Sequence, residues 1–314
     1  MTDLMAKIRR SEPAAEGRDA RKCPVCGSAD TKRKTVTNRH RERRLLVRTC
    51  GRCGHVAVLN NFHDYTESQS VEDLGVAPRC GTLDRPGREF GMAKMAVDVL
   101  ARNRVDVLVY GAGRSLDNVH IAELPQVRRV AVGDIMQVRD DVDFIDTSKP
   151  ASETFDVVVA CEVIEHFVKP REDFASLFRF VHRSGILVCS TNIYDGGNLN
   201  RHGYIFGRGH VSYYTPEALR TIAKANGMYV DFRVPLSATG TVGPRKRYVI
   251  FTYSTALMDT VSDYFGREMY APSEAPIIKR PAKKAVKARQ AARRRSAPAA
   301  GAAARADKSP TDQG

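Results

Sequence analysis

Four cysteines stand in two matched pairs, Cys23-Pro-Val-Cys26-Gly and Cys50-Gly-Arg-Cys53-Gly, with 23 residues between them. A Cys-x-x-Cys-Gly turn aims two thiolates at one ion, and four thiolates meet the tetrahedral preference of Zn2+ at about 2.3 Å each. The intervening segment is long enough for a β-hairpin that carries the second pair back to the first. The pattern predicts a structural zinc ribbon, closed to catalysis because no coordination position stays open. Lys32, Arg33, Lys34, Arg39, Arg41, Arg43, Arg44 and Arg48 lie between the pairs. They read either as a phosphate-contacting face or as the solvated side of a hairpin. A second group, Glu162, Glu165 and His166, is spaced i, i+3, i+4 and falls on one face if the chain turns helical there. Two carboxylates and an imidazole can hold a divalent cation such as Mg2+, or take the proton of a hydroxyl nucleophile. A third feature is Gly111-Ala112-Gly113, which lets backbone approach a ligand closely, with Asp134 about 20 residues further on, suited to a ribose diol.

These residues need elements to position them. Phe90, Met92, Met95, Ala96, Val99 and Leu100 share one helical face. Val105–Tyr110 is an apolar run stopped by Gly111, which predicts a buried strand. Similar runs recur at 130–132, 142–145, 155–160 and 185–190, with helical character between several of them, as at Phe174, Leu177, Phe178 and Val181. Strands alternating with helices predict βαβ units and a parallel sheet. Residues 215–227 form a punctuated helix, with Thr215 as cap, Pro216 in the first turn and Gly227 as the stop. Two more strands are expected at 229–234 and 248–253, and the polar loop 192–209 reads as a substrate lid.

Tyr110-Gly-Ala-Gly113, Asp134, the block Phe155-Asp-Val-Val-Val-Ala-Cys-Glu-Val-Ile-Glu-His166 and the block His210-Val-Ser-Tyr-Tyr-Thr-Pro-Glu-Ala-Leu219 together carry a resemblance. Over about residues 87–254 the chain resembles the class I S-adenosylmethionine-dependent methyltransferases, small-molecule branch. That resemblance implies an α/β, Rossmann-like methyltransferase sheet with helices on both faces, here preceded by the small ribbon. It implies that Tyr110, Gly111, Ala112 and Gly113 wrap the methionine part of S-adenosyl-L-methionine, that Asp134 holds the ribose, that Asp146 contacts the adenine and that Cys161 lines the methyl end. Glu162-x-x-Glu165-His166 with the distant His210 is similar to the ubiquinone-biosynthesis O-methyltransferases and to the small-RNA 3′-terminal 2′-O-methyltransferases, which use a metal-assisted acceptor site. Two positions depart from the family pattern: Val109 stands where an acid is usual, and Ser115 replaces the third glycine.

Of the 314 residues, 42% are hydrophobic and 27% charged, which supports at least one sizeable core. The net charge of +14 is uneven. Residues 1–53 hold 15 Lys/Arg against 6 Asp/Glu, residues 273–314 hold 11 against 3, and the stretch between them holds 24 against 27. The basicity therefore belongs to the ends. No apolar run approaches the ~20 residues of a membrane helix. The N-terminus lacks the apolar core of a secretory signal. With seven cysteines arranged for metal, a reducing, cytoplasmic setting is expected. The expected organisation is a disordered arm (1–20), the ribbon (21–58), a connector (59–86), the methyltransferase domain (87–272) and a disordered basic tail (273–314). The leading function is O-methylation of a small-molecule or glycan acceptor. The alternatives are an RNA methyltransferase that holds RNA with its basic ends, and a non-enzymatic ribbon protein with a degenerate methyltransferase body.

Overall fold

The computed structural model describes residues 21–38, 43–63, 80–234 and 246–265. The expected arm, most of the connector and the expected tail lie outside these residues. Two sheets organise the chain. The smaller is antiparallel, in the order β1 (Thr31–Asn38), β2 (Arg43–Cys50), β3 (Val56–Val58), β9 (Ser212–Tyr213). The larger has seven strands: β4 (Val105–Tyr110), β5 (Val127–Asp134), β6 (Asp143–Asp146), β7 (Phe155–Cys161), β8 (Val181–Asn192), β10 (Tyr229–Arg233) and β11 (Lys246–Thr252). Their spatial order is β10-β11-β8-β7-β4-β5-β6. β4 to β8 run parallel, while β11 and β10 are antiparallel additions at one edge.

The strands are apolar on both sides because both faces are covered, as parallel sheets require. Val107 and Val109 of β4 join Val157 and Val159 of β7 against α1 (Arg88–Leu100) on one face. The same core takes Val261 of α5 (Thr255–Tyr264). Leu108, Val158 and Ala160 face the other way, toward α3 (Pro170–Phe178) and α4 (Pro216–Ala225). The short α2 (Asp117–Ala122) follows β4. Strand order reverses between β4 and β7. In open α/β sheets that reversal opens a crevice at the strands' carboxyl ends, where ligands bind.

The predicted helix at 215–227 forms as α4. The Thr215 side chain accepts from the Ala218 amide at 3.0 Å, and Gly227 takes the left-handed stop with φ of +67°. The loop expected to be a lid is instead packed. Leu199, Ile205 and Phe206 are buried with Val36, Leu45, Val47 and Val58 of the ribbon. Its apolar side chains have a partner sheet to cover, so the segment folds down as two short 3-10 turns, Leu199–Arg201 and Gly203–Phe206. The ribbon also shares the main core, where Cys23, Val25, Cys50 and Cys53 lie with Phe174, Tyr214 and Leu219. Among the described residues no helix is long and apolar enough to cross a membrane.

Candidate functional site

The cysteine centre is two superposable knuckles. Gly27 and Gly54 both have φ of +71°, and each donates its amide to the first cysteine's carbonyl at 3.0 Å. The Cys23 and Cys53 sulfurs are 3.6 Å apart and those of Cys26 and Cys50 3.5 Å apart, and all four lie within 4.8 Å of one another. Four sulfurs around one zinc at tetrahedral geometry stand about 3.8 Å apart. The donor set and its spacing therefore fit zinc. The hydrogen bond from Cys53 holds the Cys23 thiol far below its usual range and pushes the Cys53 thiol up in turn, while burial raises Cys26. His55, 1% exposed, lies beside Cys23, its ring 5.2 Å from that of Tyr214.

At the crevice, Gly111 has φ of +69° and a Cβ there would lie 2.5 Å from the Val163 side chain, so only glycine fits the turn. Gly113 opens onto free space. Its amide donates to Asp134 at 3.0 Å, and the other carboxylate oxygen of Asp134 accepts from the Ile135 amide at 2.8 Å. Burial pushes the Asp134 carboxyl up from its ordinary value. A narrow slot beside it is lined by Gly113, Asp134, Met136, Val142 and Phe144. Ala112 is buried in the α1 core, and the Tyr110 ring packs edge-on against Phe180, so neither side chain is turned to the crevice. Asp146 sits beside Asp134 in the β5–β6 register. Its carboxylate accepts from Ser148 and pairs with Lys149, and the Ser148 bond lowers it to about 2. The Asp146 carboxylate is thus engaged by its own loop, and the apolar slot was invisible in sequence because its side chains come from two separated segments.

The acceptor side assembles from four stretches. Glu162 ends β7 with φ of +58°, strained for a non-glycine residue, which turns its carboxylate toward Ser190 at 3.2 Å and Tyr204 at 3.2 Å. Ile164–His166 form a 3-10 turn in place of the expected helix. Glu165, 1% exposed, accepts from Tyr204 and from Thr191. The His166 Nδ1 donates to the Gly209 carbonyl at 3.0 Å, a tautomer that leaves the lone pair on Nε2. Burial lowers the His166 pKa, keeping the ring neutral at pH 7. The His210 ring lies edge-on to His166 at 5.0 Å and against Tyr204 at 4.5 Å. Ligand atoms of Glu165, His166 and His210 come within 4.8 Å of one another. Cys161 is buried, 3.2 Å from the Ser190 hydroxyl, and burial raises its thiol well above the usual range, so it is inert as a nucleophile. Tyr204 belongs to the polar loop 192–209 read as a substrate lid, and one residue, Arg88, was missed in sequence. Arg88, whose Nη1 is 3.8 Å from Glu162, looks like any helix-start arginine.

Residues 91–231 match the family model described as a methyltransferase domain. No match is found among curated proteins. Among solved structures, the chain is similar to the 1,6-didemethyltoxoflavin-N1-methyltransferase of Burkholderia thailandensis (19% identity, 52% of this chain and 77% of that one, TM-score 0.38). It is also similar to a TehB-like SAM-dependent methyltransferase from Corynebacterium glutamicum (19% identity, 54% and 90%, TM-score 0.39). A third similar structure is human N-acetylserotonin methyltransferase (13% identity, 52% and 51%, TM-score 0.40). The matched segment and its sheet order describe a methyltransferase domain with a Rossmann-like fold.

Proposed function

We propose that the enzyme methylates an oxygen of a small-molecule or sugar-type acceptor. The observation that supports this reading is the convergence of Glu162, Glu165, His166, Tyr204 and His210 beside the glycine crevice, where a hydroxyl can be both oriented and deprotonated. In this reading Asp134 holds the ribose, the Met136/Phe144 slot takes the adenine ring, and Arg88, whose Nε is buried with no hydrogen-bond partner among the described residues, faces the methionine carboxylate. The acceptor oxygen attacks the sulfonium methyl in line, the carbon–sulfur bond breaks with its electron pair going to sulfur, and the hydroxyl proton passes to Nε2 of His166. Alignment supplies most of the rate for such a preactivated methyl. Glu165, His166 and His210 also offer one oxygen and two nitrogen donors, a second use of the same groups in which His166 Nε2 would be a ligand to a divalent cation instead of the base. Such a cation would lower the acceptor hydroxyl's pKa. A cytoplasmic setting belongs to this reading, with four of the seven cysteines placed together for a metal. An RNA acceptor is the second reading, favoured by the exposed row Lys32, Arg33 and Lys34 on edge strand β1.

Mass spectrometry of the purified protein should find bound S-adenosylmethionine or its demethylated product. A panel of hydroxylated small molecules and short RNAs then separates the two readings. His166→Ala should bind cofactor normally and lose about 10²–10⁴-fold in turnover, the usual worth of a positioned base. Near-normal turnover would remove His166 from the chemistry.

A further inference from the structure

We propose that the ribbon's role is to hold His210 in the acceptor site, with Asn61 as the positioning residue and Arg43 as its support. This rests on the reading of His210 as an acceptor-site group. The segment 206–211 is gripped from two sides. On the site's side, the Val211 amide donates to the Glu165 carbonyl at 2.9 Å and His166 donates to the Gly209 carbonyl at 3.0 Å. On the ribbon's side, the Val58 amide donates to the Val211 carbonyl at 2.8 Å, just before β9 pairs with β3.

Three further carbonyls of the segment, those of Phe206, Gly207 and His210, are taken by two side chains. Asn61, 6% exposed, donates through Nδ2 to the Gly207 carbonyl at 2.6 Å and to the His210 carbonyl at 3.1 Å. Its Oδ1 accepts from Arg43 Nη2 at 2.6 Å, and Arg43 Nη1 donates to the Phe206 carbonyl at 2.7 Å. Leu59 and Asn60 tie this stretch to β2, through the Leu59 amide on the Leu46 carbonyl and the Leu46 amide on Asn60 Oδ1, each at 2.8 Å.

The His210 ring has little slack. A Cβ on Gly207 would come within 2.7 Å of it, and Tyr204 covers it at 4.5 Å between ring centres. Moving the backbone that Asn61 fixes therefore moves the imidazole relative to His166. A misplacement of about 1 Å at a reacting group costs on the order of 10²-fold in rate. The two cysteine knuckles brace β2, which begins at Arg43, and β3, which leads into Asn61, so the metal centre bears on the reaction through geometry while making no contact with the reacting atoms.

Asn61→Asp is nearly isosteric. It keeps the acceptor for Arg43 and replaces the shared donor by a carboxylate facing two carbonyls. In the full chain it should leave bound zinc and S-adenosylmethionine affinity within about twofold, as read by metal analysis and calorimetry. The ring resonances of His210 and His166 should shift, while those of His120 and His182 stay, and the peptide covering 205–214 should exchange amide hydrogens faster. Unshifted His210 and His166 signals with unchanged exchange would overturn the proposal. Should Asn61→Asp fail to bind cofactor, Arg43→Met carries the same readouts and the same criterion. Kinetics with catechol as acceptor probe add a cycle. Asn61→Asp should cost at least tenfold in turnover in the native background but under twofold in His210→Ala, and equal losses in both backgrounds would overturn it. A near-normal His210→Ala turnover would instead sink the acceptor-site reading and leave the ring resonances to judge the clamp.

Discussion

Asp134 illustrates how a carboxylate that serves the structure keeps acceptor sites open for a ligand. It already fixes the Gly113 and Ile135 amides, and each oxygen retains a second lone pair for a ribose hydroxyl. Charge-assisted hydrogen bonds contribute about 1.5–3 kcal/mol each in favourable cases. Asp134→Ala should therefore weaken S-adenosylmethionine binding by about tenfold or more in calorimetry, and an unchanged dissociation constant would show that the ribose binds elsewhere. Glu89, in the first turn of α1, accepts from Ser115 at 3.3 Å at the end of the glycine loop. Burial, then the neighbouring Asp117 carboxylate, pushes it up to about 8. The native state thus holds a proton that the unfolded chain, with a Glu pKa of about 4.3, has released. Stability contributed by that proton is full below about pH 4 and falls as pH rises through about 8. Glu89→Gln keeps the hydrogen-bonding shape and cannot ionise. Its melting temperature should exceed the native protein's above pH 8, by an equivalent on the order of 1–3 kcal/mol, and the gap should close toward pH 5. A gap independent of pH would mean that Glu89 is ionised in the fold.

At the scale of elements, the ribbon and α4 are a single construction. Thr215 caps α4 through its hydroxyl oxygen and donates the hydroxyl proton to the Cys53 carbonyl, while Arg171 of α3 donates to the Val25 carbonyl at 2.7 Å. One zinc per chain is expected, and less than half an equivalent in fresh protein would contradict the site. Cys26→Ser should lose that zinc and lower the melting temperature, since structural zinc contributes folding energy directly. S-adenosylmethionine affinity should change little, because Gly113 follows β4 and Asp134 ends β5, on the far side of β7. A large loss of cofactor affinity in Cys26→Ser would show that the ribbon supports the crevice as well.

Over the whole molecule, the near-neutral middle of the chain carries the seven-stranded sheet, while the basic first 53 residues supply β1 and β2 of the smaller one. Residues 273–314, with 11 Lys/Arg against 3 Asp/Glu and almost no large apolar side chains, offer nothing to a core. Truncation after Pro272 should leave cofactor affinity and melting temperature unchanged. A truncated protein unable to bind S-adenosylmethionine would make that segment part of the structure.

Local periodicity made much of this protein legible in its sequence. The knuckles, the buried strands at 105–110 and 155–160 and the capped helix at Thr215 each follow from residues that are neighbours in the chain, where one hydrogen bond or one face of a helix decides the outcome. The crevice followed as well, since Gly111 and Asp134 end adjacent parallel strands. What the sequence left open was set by contacts between distant segments. Leu199, Ile205 and Phe206, scattered among polar residues and glycines, show no period, yet burying them against the ribbon is what folds the expected lid down. That packing seats Tyr204 on Glu165, brings His210 to His166 and joins β9 to the ribbon sheet. Burial of dispersed apolar side chains depends on which surface meets them, and only the tertiary structure supplies that surface.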